Sequence, residues 1–236
     1  ITPAIDAVLD VELQRDDTPT PVSEIAENIR CIRGADYLMR ILTGLGKEKP
    51  VVIGYNAVNG KRTMFSRLLG VCIPGEEDNA KRLRQAAAKA GISDEQLVVA
   101  AMYSHRWLEV VEEALGWKGL TSAAYYFMAH TGESLDESAK SHISRYTVVS
   151  PDDFADGAFD PVWFREVYKA LGKKRFEVVY GAARYIAEGN RHTRARKLSD
   201  AALGILKAKD VQKEIADKRN KDLVVAYGLI PLSRNR

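Results

Sequence analysis

The sequence predicts an all-α fold, an irregular stack of helical hairpins in the manner of HEAT repeats, and three observations carry that expectation. Apolar residues recur at helical spacing along most of the 236 residues. Cap-plus-proline starts and glycine stops punctuate those stretches. A degenerate helix pattern also recurs three times, each time ahead of a glycine. Counting back from Gly46, Gly116 and Gly172, the ninth residue is Tyr37, Trp107 or Trp163 and the eighth is Leu38, Leu108 or Phe164. The fifth is Ile41, Val111 or Val167, and Leu45, Leu115 or Leu171 directly precedes the glycine. These offsets place the aliphatic positions on one helical stripe with glycine as a left-handed C-cap. Glycine spacings of 70 and 56 residues exclude a fixed-period array.

The elements follow in order. Thr2-Pro3 supplies an N-cap and first-turn proline for a helix carrying Ile5, Val8, Leu9 and Leu13. Thr18 to Pro21 stops the chain and restarts it into a helix over 22–32. A third helix spans 36–45 and closes at Gly46. The stretch from Pro50 to Lys61 is rich in β-branched residues and holds an Asn-Gly pair, so it predicts a short hairpin or ordered loop. Ser93 with Gln96 reads as a capping box for a helix over 97–102. Ser150-Pro151 and Asp160-Pro161 start two more helices, and long helices are expected over 175–188, 191–206 and 210–227. The chain is read as one helical domain over 1–236, with a subdivision into 1–92 and 93–236 as the alternative.

Composition excludes several classes. The chain is 46% hydrophobic and 28% charged, unlike a disordered tail or a disulfide scaffold. No apolar run approaches the roughly 18 residues of a membrane span, so no membrane partner is expected. Cys31 and Cys72 lack metal or redox spacing and are expected as two buried free thiols. The start at Ile1 without methionine and the uncapped end at Arg236 are read as those of a piece of a longer, cytoplasmic polypeptide.

The net charge of +3 hides an asymmetry. Residues 173–236 hold 16 basic and 7 acidic side chains, against 19 and 25 in the first 172. The densest basic segment, Arg184, Arg191, His192, Arg194, Arg196 and Lys197, is the candidate anion-binding site. On a helix beginning near residue 190, Arg191 and Arg194 fall beside the packed stripe, close to the positive helix end. Two readings compete for them: intramolecular docking onto carboxylates of the acidic part of the chain, or recognition of an outside polyanion such as nucleic acid. Neither this run nor the one at Lys218 interleaves with aromatic residues as single-strand stacking platforms do.

No catalytic or cofactor motif occurs, and no cofactor or metal is expected. His105, His130, His142 and His192 are scattered away from helical ligand spacing. His130 and Glu133 sit where an aromatic helix ends at Gly132, and a protonated His130 there would suit the negative helix end. Asp152, Asp153, Asp156 and Asp160 lack the register of a calcium loop and read as helix-start acids.

Three stretches carry a resemblance to a known family. They are Trp107 to Trp117; Asp153 to Asp160 with Trp163, Phe164 and Tyr168; and Arg175 to Tyr180 continuing through Ala183 to Ile186, Arg194-Ala195, Ala201 to Leu203, Lys218 to Asp222 and Tyr227 to Leu232. The chain resembles a bacterial domain of unknown function found in large MolR-like (molybdate-metabolism-regulator-like) proteins, which often carry a separate WGR domain. The resemblance covers about residues 6 to 232 and implies a module of a larger protein, without supplying an activity or catalytic residues. The expectation is therefore a non-catalytic scaffold or interaction module, partnered by other domains or proteins. A polyanion-binding module and an enzyme with a site assembled between helices stand as alternatives.

Overall fold

The computed structural model describes residues 2–51, 60–132, 135–187, 189, 191–218 and 220–231. The fold is all-α, as the periodicity predicts. The described residues form fourteen α-helices, one 3-10 turn at His105–Trp107 and a two-stranded parallel pair. The hairpin expected between Pro50 and Lys61 lies almost wholly outside the described residues. Two compact units divide the chain: residues 1–121 with 177–186, and residues 122–176 with 187–236. Residues 92 and 93 both lie inside the first unit.

In the first unit, α1 (Thr2–Gln14) packs on α2 (Pro21–Asn28) and α3 (Ala35–Leu45), and α3 also packs on α4 (Lys61–Gly70) and α5 (Ala80–Ala90). Gly44 allows the closest approach in this group. A Cβ there would overlap the ring of Phe65, which is fully buried on α4. The helix expected over 22–32 ends four residues early. Ile29 is extended, and residues 30–31 lead without regular structure into β1 (Ile32–Arg33), which pairs in parallel with β2 (Cys72–Ile73) through Ile32↔Cys72. Side chains at paired positions share a face, and Ile32 and Cys72 are both fully buried. Cys31 precedes the strand and is exposed, which corrects the expectation of two buried thiols.

The three-fold pattern holds for the buried stripe, but of the three expected left-handed C-caps only Gly116 is one: Gly46 (φ 59, ψ −125) ends α3 outside that region and Gly172 lies inside a longer helix. Gly46, Gly116 and Gly172 all have positive φ, and Leu38, Leu108, Phe164, Ile41, Val111 and Val167 are all buried. The Ser93 capping box is present, opening α6 (Asp94–Tyr103). α7 (Leu108–Leu115) packs on α5 and α6 and closes at the left-handed Gly116.

The second unit is built on α8 (Leu120–Thr131), whose aromatic face carries Tyr126 and Phe127. Its other helices are α9 (Glu137–Ile143), α10 (Pro151–Asp156), α11 (Pro161–Ala183, which passes into the first unit's segment), α12 (Arg191–Ala202), α13 (Ala208–Lys218) and α14 (Lys221–Leu229). Around Tyr126 gather Phe127, His130, Phe159, Trp163 and Phe164, with ring centroids 4.6–6.2 Å apart. These rings bury large apolar areas and mostly meet tilted or edge to face, the arrangements aromatic pairs favour. α11 does not stop at Gly172. One non-helical residue (φ 70, ψ 163) breaks it and the helix resumes. The single helix expected over 210–227 is two, because the side chain of Asn220 accepts from Asp222 N and starts α14 afresh. α14 packs on both α12 and α13.

Candidate functional site

The four backbone carbonyls at the end of a helix need partners from outside it, and that requirement organises the basic segment. α8 ends at Thr131, and Gly132 donates its N–H back to Met128 O at 2.9 Å. The Gly132 carbonyl is then taken by Arg191 Nη1 at 2.8 Å. α10 ends at Asp156 and is closed by Gly157 at φ 109. Its last three carbonyls receive cations in succession. Arg194 Nη2 donates to Phe154 O at 2.5 Å, Arg194 Nη1 to Ala155 O at 3.3 Å and Lys221 Nζ to Asp156 O at 3.4 Å. Positive charge is favoured at this end of a helix, so each contact adds dipole attraction to a charge-assisted hydrogen bond.

Intramolecular docking was expected to run through carboxylates of the acidic part of the chain. Arg191 and Arg194 donate instead to main-chain carbonyls, and the Asp222 carboxylate lies 4.0 Å from Arg194 Nε. Arg196 pairs with Asp200 one turn on, at 2.9 Å, and Lys197 with Glu214 of α13, at 3.6 Å. His192 is half-buried and has a partner of its own. Arg184 is exposed and belongs to the segment 177–186 of the first unit. The structure thus brings Arg191 and Arg194 together at the start of α12, with Arg196 and Lys197 following on the same helix.

Beside Arg194 sits a group that the sequence placed correctly but whose charge it misjudged. His130 is 1% exposed, and neither ring nitrogen has a hydrogen-bond partner among the described residues. Its ring packs on Tyr126 at 4.6 Å, Phe154 at 4.9 Å and Phe159 at 5.5 Å. Burial pushes its pKa down to about 3, and the neighbouring Arg194 charge pushes the same way. His130 is therefore a neutral imidazole, and the attraction of a helix C-terminus for a cation does not govern it. Glu133, named beside it in the sequence, lies outside the described residues.

Carboxylates hold the opposite helix ends. Asp160 accepts from Val162 N at 2.8 Å and Trp163 N at 3.1 Å at the start of α11, and from the Thr147 hydroxyl at 2.6 Å. Burial alone would raise its pKa, but these hydrogen bonds outweigh burial and hold it below the usual carboxylate value. Asp152 and Asp153 occupy the first turn of α10, and Asp152 pairs with Lys140 at 2.8 Å. No group of three metal-capable side chains occurs among the described residues. A cleft of about 210 Å³ opens nearby, lined by Ala129, Gly132, Leu135, Lys140, Pro151 and Asp152, with Ala155. Neither His130 nor the arginines of α12 line it.

What the sequence missed is the identity of the arginines' partners. The one usable signal is that helix-ending glycines stand at Gly132 and Gly157, which marks where carbonyls would need donors. The profile of a family of unknown function, DUF5724, matches residues 2–236. The chain belongs to this family. No curated protein and no solved structure matches. Membership of DUF5724 covers nearly the whole chain, while the MolR-like and WGR associations suggested by the resemblance form no part of that match.

Proposed function

We propose that this DUF5724 chain is a non-catalytic helical scaffold or interaction module of a larger bacterial, cytoplasmic protein. The observation that supports this reading most is what the polar groups of the second unit do. Arg191, Arg194 and Lys221 are engaged at helix C-termini, and Asp160 at a helix N-terminus. His130 is neutral, packed among aromatic rings and does not line the cleft at Gly132 and Lys140. A general acid or base must reach the proton it moves, and its pKa works best near the operating pH. A sealed imidazole with a pKa near 3 meets neither requirement.

Of the alternative anion site on Arg184, Arg191, His192, Arg194, Arg196 and Lys197, the donors of Arg191, Arg194, Arg196 and Lys197 are already engaged with carbonyls or carboxylates, His192 has a partner, and the exposed Arg184 belongs to the first unit. Purified protein assayed against broad hydrolase, transferase and oxidoreductase panels tests the reading. No turnover above a heat-denatured control is expected. Turnover that disappears in His130→Phe would overturn it.

A further inference from the structure

A cleft of about 300 Å³ opens in the first unit, where the turn after α1, the end of α3 and the start of α4 meet. Its volume lies at the lower end of the range for small-molecule sites. Arg15, Lys61 and Arg62 line it together with Asp16, Asp17 and Glu48, so the walls carry no net charge. Glu12 pairs with Arg15 without lining the cleft.

Two independent observations mark donors that lack an acceptor. The Arg15 side chain is only 3% exposed. Its Nε donates to Glu12, and its Nη1 to Asp16 O at 2.9 Å and Thr18 O at 3.4 Å, but Nη2 is enclosed and has no partner. Nη1 and Nη2 share the end of the planar fork, and Asp16, met on that edge, is itself a lining residue. The second observation is the start of α4. Gly60 has no side chain to cap it, and the first helical bond runs from Met64 N to Gly60 O. Of the three N–H groups before that bond, only Lys61 N has an acceptor among the described residues, Asp17 Oδ1 at 3.2 Å. Arg62 spends Nε on Lys49 O at 2.6 Å, and its terminal nitrogens have no hydrogen bond among the described residues. A buried guanidinium edge and an open helix N-terminus together call for an oxyanion.

The balanced walls decide which oxyanion. Phosphate or a simple carboxylate would meet three acids as well as three cations and gain nothing from net charge. A simple amine would leave the donors unmet. A ligand that carries both charges close together answers both sets. We infer that this cleft binds a free α-amino acid, its carboxylate turned inward to Arg15 and the start of α4 and its ammonium held by the acids at the mouth. Depth sets that orientation, since Arg15 is 3% exposed at its side chain and Glu48 64%. An enclosed N–H without an acceptor is costly, so a carboxylate that reaches Nη2 removes a penalty the chain otherwise carries. The inference goes beyond the module reading and does not depend on it.

The test is isothermal titration calorimetry of the whole chain with the standard protein amino acids, each alone at up to millimolar concentration. Sodium acetate, methylammonium chloride and inorganic phosphate are the comparison ligands. At least one amino acid should bind saturably, and at least about tenfold more tightly than each comparison ligand. The variant Glu12→Leu/Arg15→Met removes the idle fork without leaving a lone buried charge, and should weaken that binding at least about tenfold. Arg62→Gln, on a side chain 44% exposed, should weaken it about threefold or more. Circular dichroism establishes that both variants remain folded, and Arg62→Gln alone decides the matter if the double variant does not. Absence of binding by every amino acid, acetate or phosphate binding as tightly, or affinity unchanged in the folded variants each overturns the inference. Turnover in the enzyme panels would sink the module reading and leave this one standing.

Discussion

Both units meet the same physical demand, partners for the orphan groups at helix ends, and each uses both charges: Lys61 takes Leu13 O at 2.7 Å at the end of α1 in the first unit, and Asp160 takes N–H groups at the start of α11 in the second. In the first unit carboxylates serve N–H groups. Asp78 accepts from Ala35 N at 2.9 Å and Gly75 N at 2.7 Å, opening α3, where Gly34 has no side chain to cap it. Glu112 accepts from Gly119 N at 3.0 Å and Thr121 N at 2.7 Å around the start of α8. In the second unit arginines and a lysine serve carbonyls. The two kinds of partner differ in what is left over. Among the described residues no carboxylate oxygen is buried without a partner, whereas the buried Arg15 and the half-buried Arg194 each keep one enclosed nitrogen without a hydrogen bond, Nη2 and Nε. A carboxylate presents two acceptors that approaching N–H groups can share, but a guanidinium carries five N–H bonds in a fixed fork. The fork is harder to saturate in a closed space.

Glu12 is the place to break that comparison with the largest effect. It is fully buried and accepts from the Ser23 hydroxyl at 2.7 Å and from Arg15 Nε at 2.5 Å. Glu12→Ala leaves Arg15 charged, buried and uncompensated, and should cost about 3–5 kcal/mol in urea unfolding. The double variant Glu12→Leu/Arg15→Met removes both charges and should recover most of that loss. If the double variant is no better than the single one, packing rather than charge governs the site.

Arg194 ranks next. Arg194→Ala removes two charge-assisted hydrogen bonds from the end of α10 and should destabilise by about 2–3 kcal/mol. Arg194→Lys keeps the charge but not the fork, and should recover only part of this. Arg196→Ala, whose partner Asp200 lies on the same helix, should change stability by no more than about 0.5 kcal/mol. Equal effects at positions 194 and 196 would mean that the helix-end contacts carry no special weight.

These contrasts also mark how far the sequence could be read. Helical period, capping signals and the glycine pattern ending at Gly46 and Gly116 are local, so they were legible; Gly172 was legible as a conformational exception but not as a break inside a longer helix. Asn220 was hidden for the same kind of reason, since the periodicity over 210–227 runs through a cap that only side-chain geometry reveals. The parallel pairing of Ile32 with Cys72 links positions 40 residues apart, and two residues per strand are too few to leave an alternation. The basic segment was recognised, but its partners were not, because a carbonyl left orphaned by a helix end has no signature in composition. Net charge suggested carboxylates, and Arg191 and Arg194 chose backbone.

His130 sharpens the comparison at intermediate size through pH. Its native pKa, near 3, lies far below the 6.5 of an unfolded histidine, so the unfolded state binds the extra proton. The associated stability is fully present above about pH 6.5 and is lost progressively as pH falls toward 3. Between pH 6.5 and 4.5 the slope should approach about 1.4 kcal/mol per unit, and His130→Phe should flatten it. At pH 7 the same variant, which removes two unmet polar atoms, should be about 1–2 kcal/mol more stable. An unchanged acid slope in the variant would show that His130 does not titrate on unfolding.

The smallest expected effect concerns the two thiols, and it tests the strand register that the sequence did not reveal. Ile32 and Cys72 are paired positions and point into the core together, while Cys31 stands just ahead of the strand and is exposed. Burial pushes the Cys72 thiol up to about 12, with the Asp78 charge adding to the shift, so almost none of it is thiolate at pH 8. Its carbonyl is also fixed, accepting from Ser104 Oγ at 2.8 Å and Trp107 Nε1 at 2.9 Å. Ellman's reagent should therefore titrate one thiol within minutes on the folded protein and the second only after denaturation. Cys31→Ser should abolish the fast phase and leave stability within about 0.5 kcal/mol of the parent. Two fast thiols would mean that the parallel pair opens readily, and the burial of Ile32 opposite Cys72 could not then anchor the entry to α3.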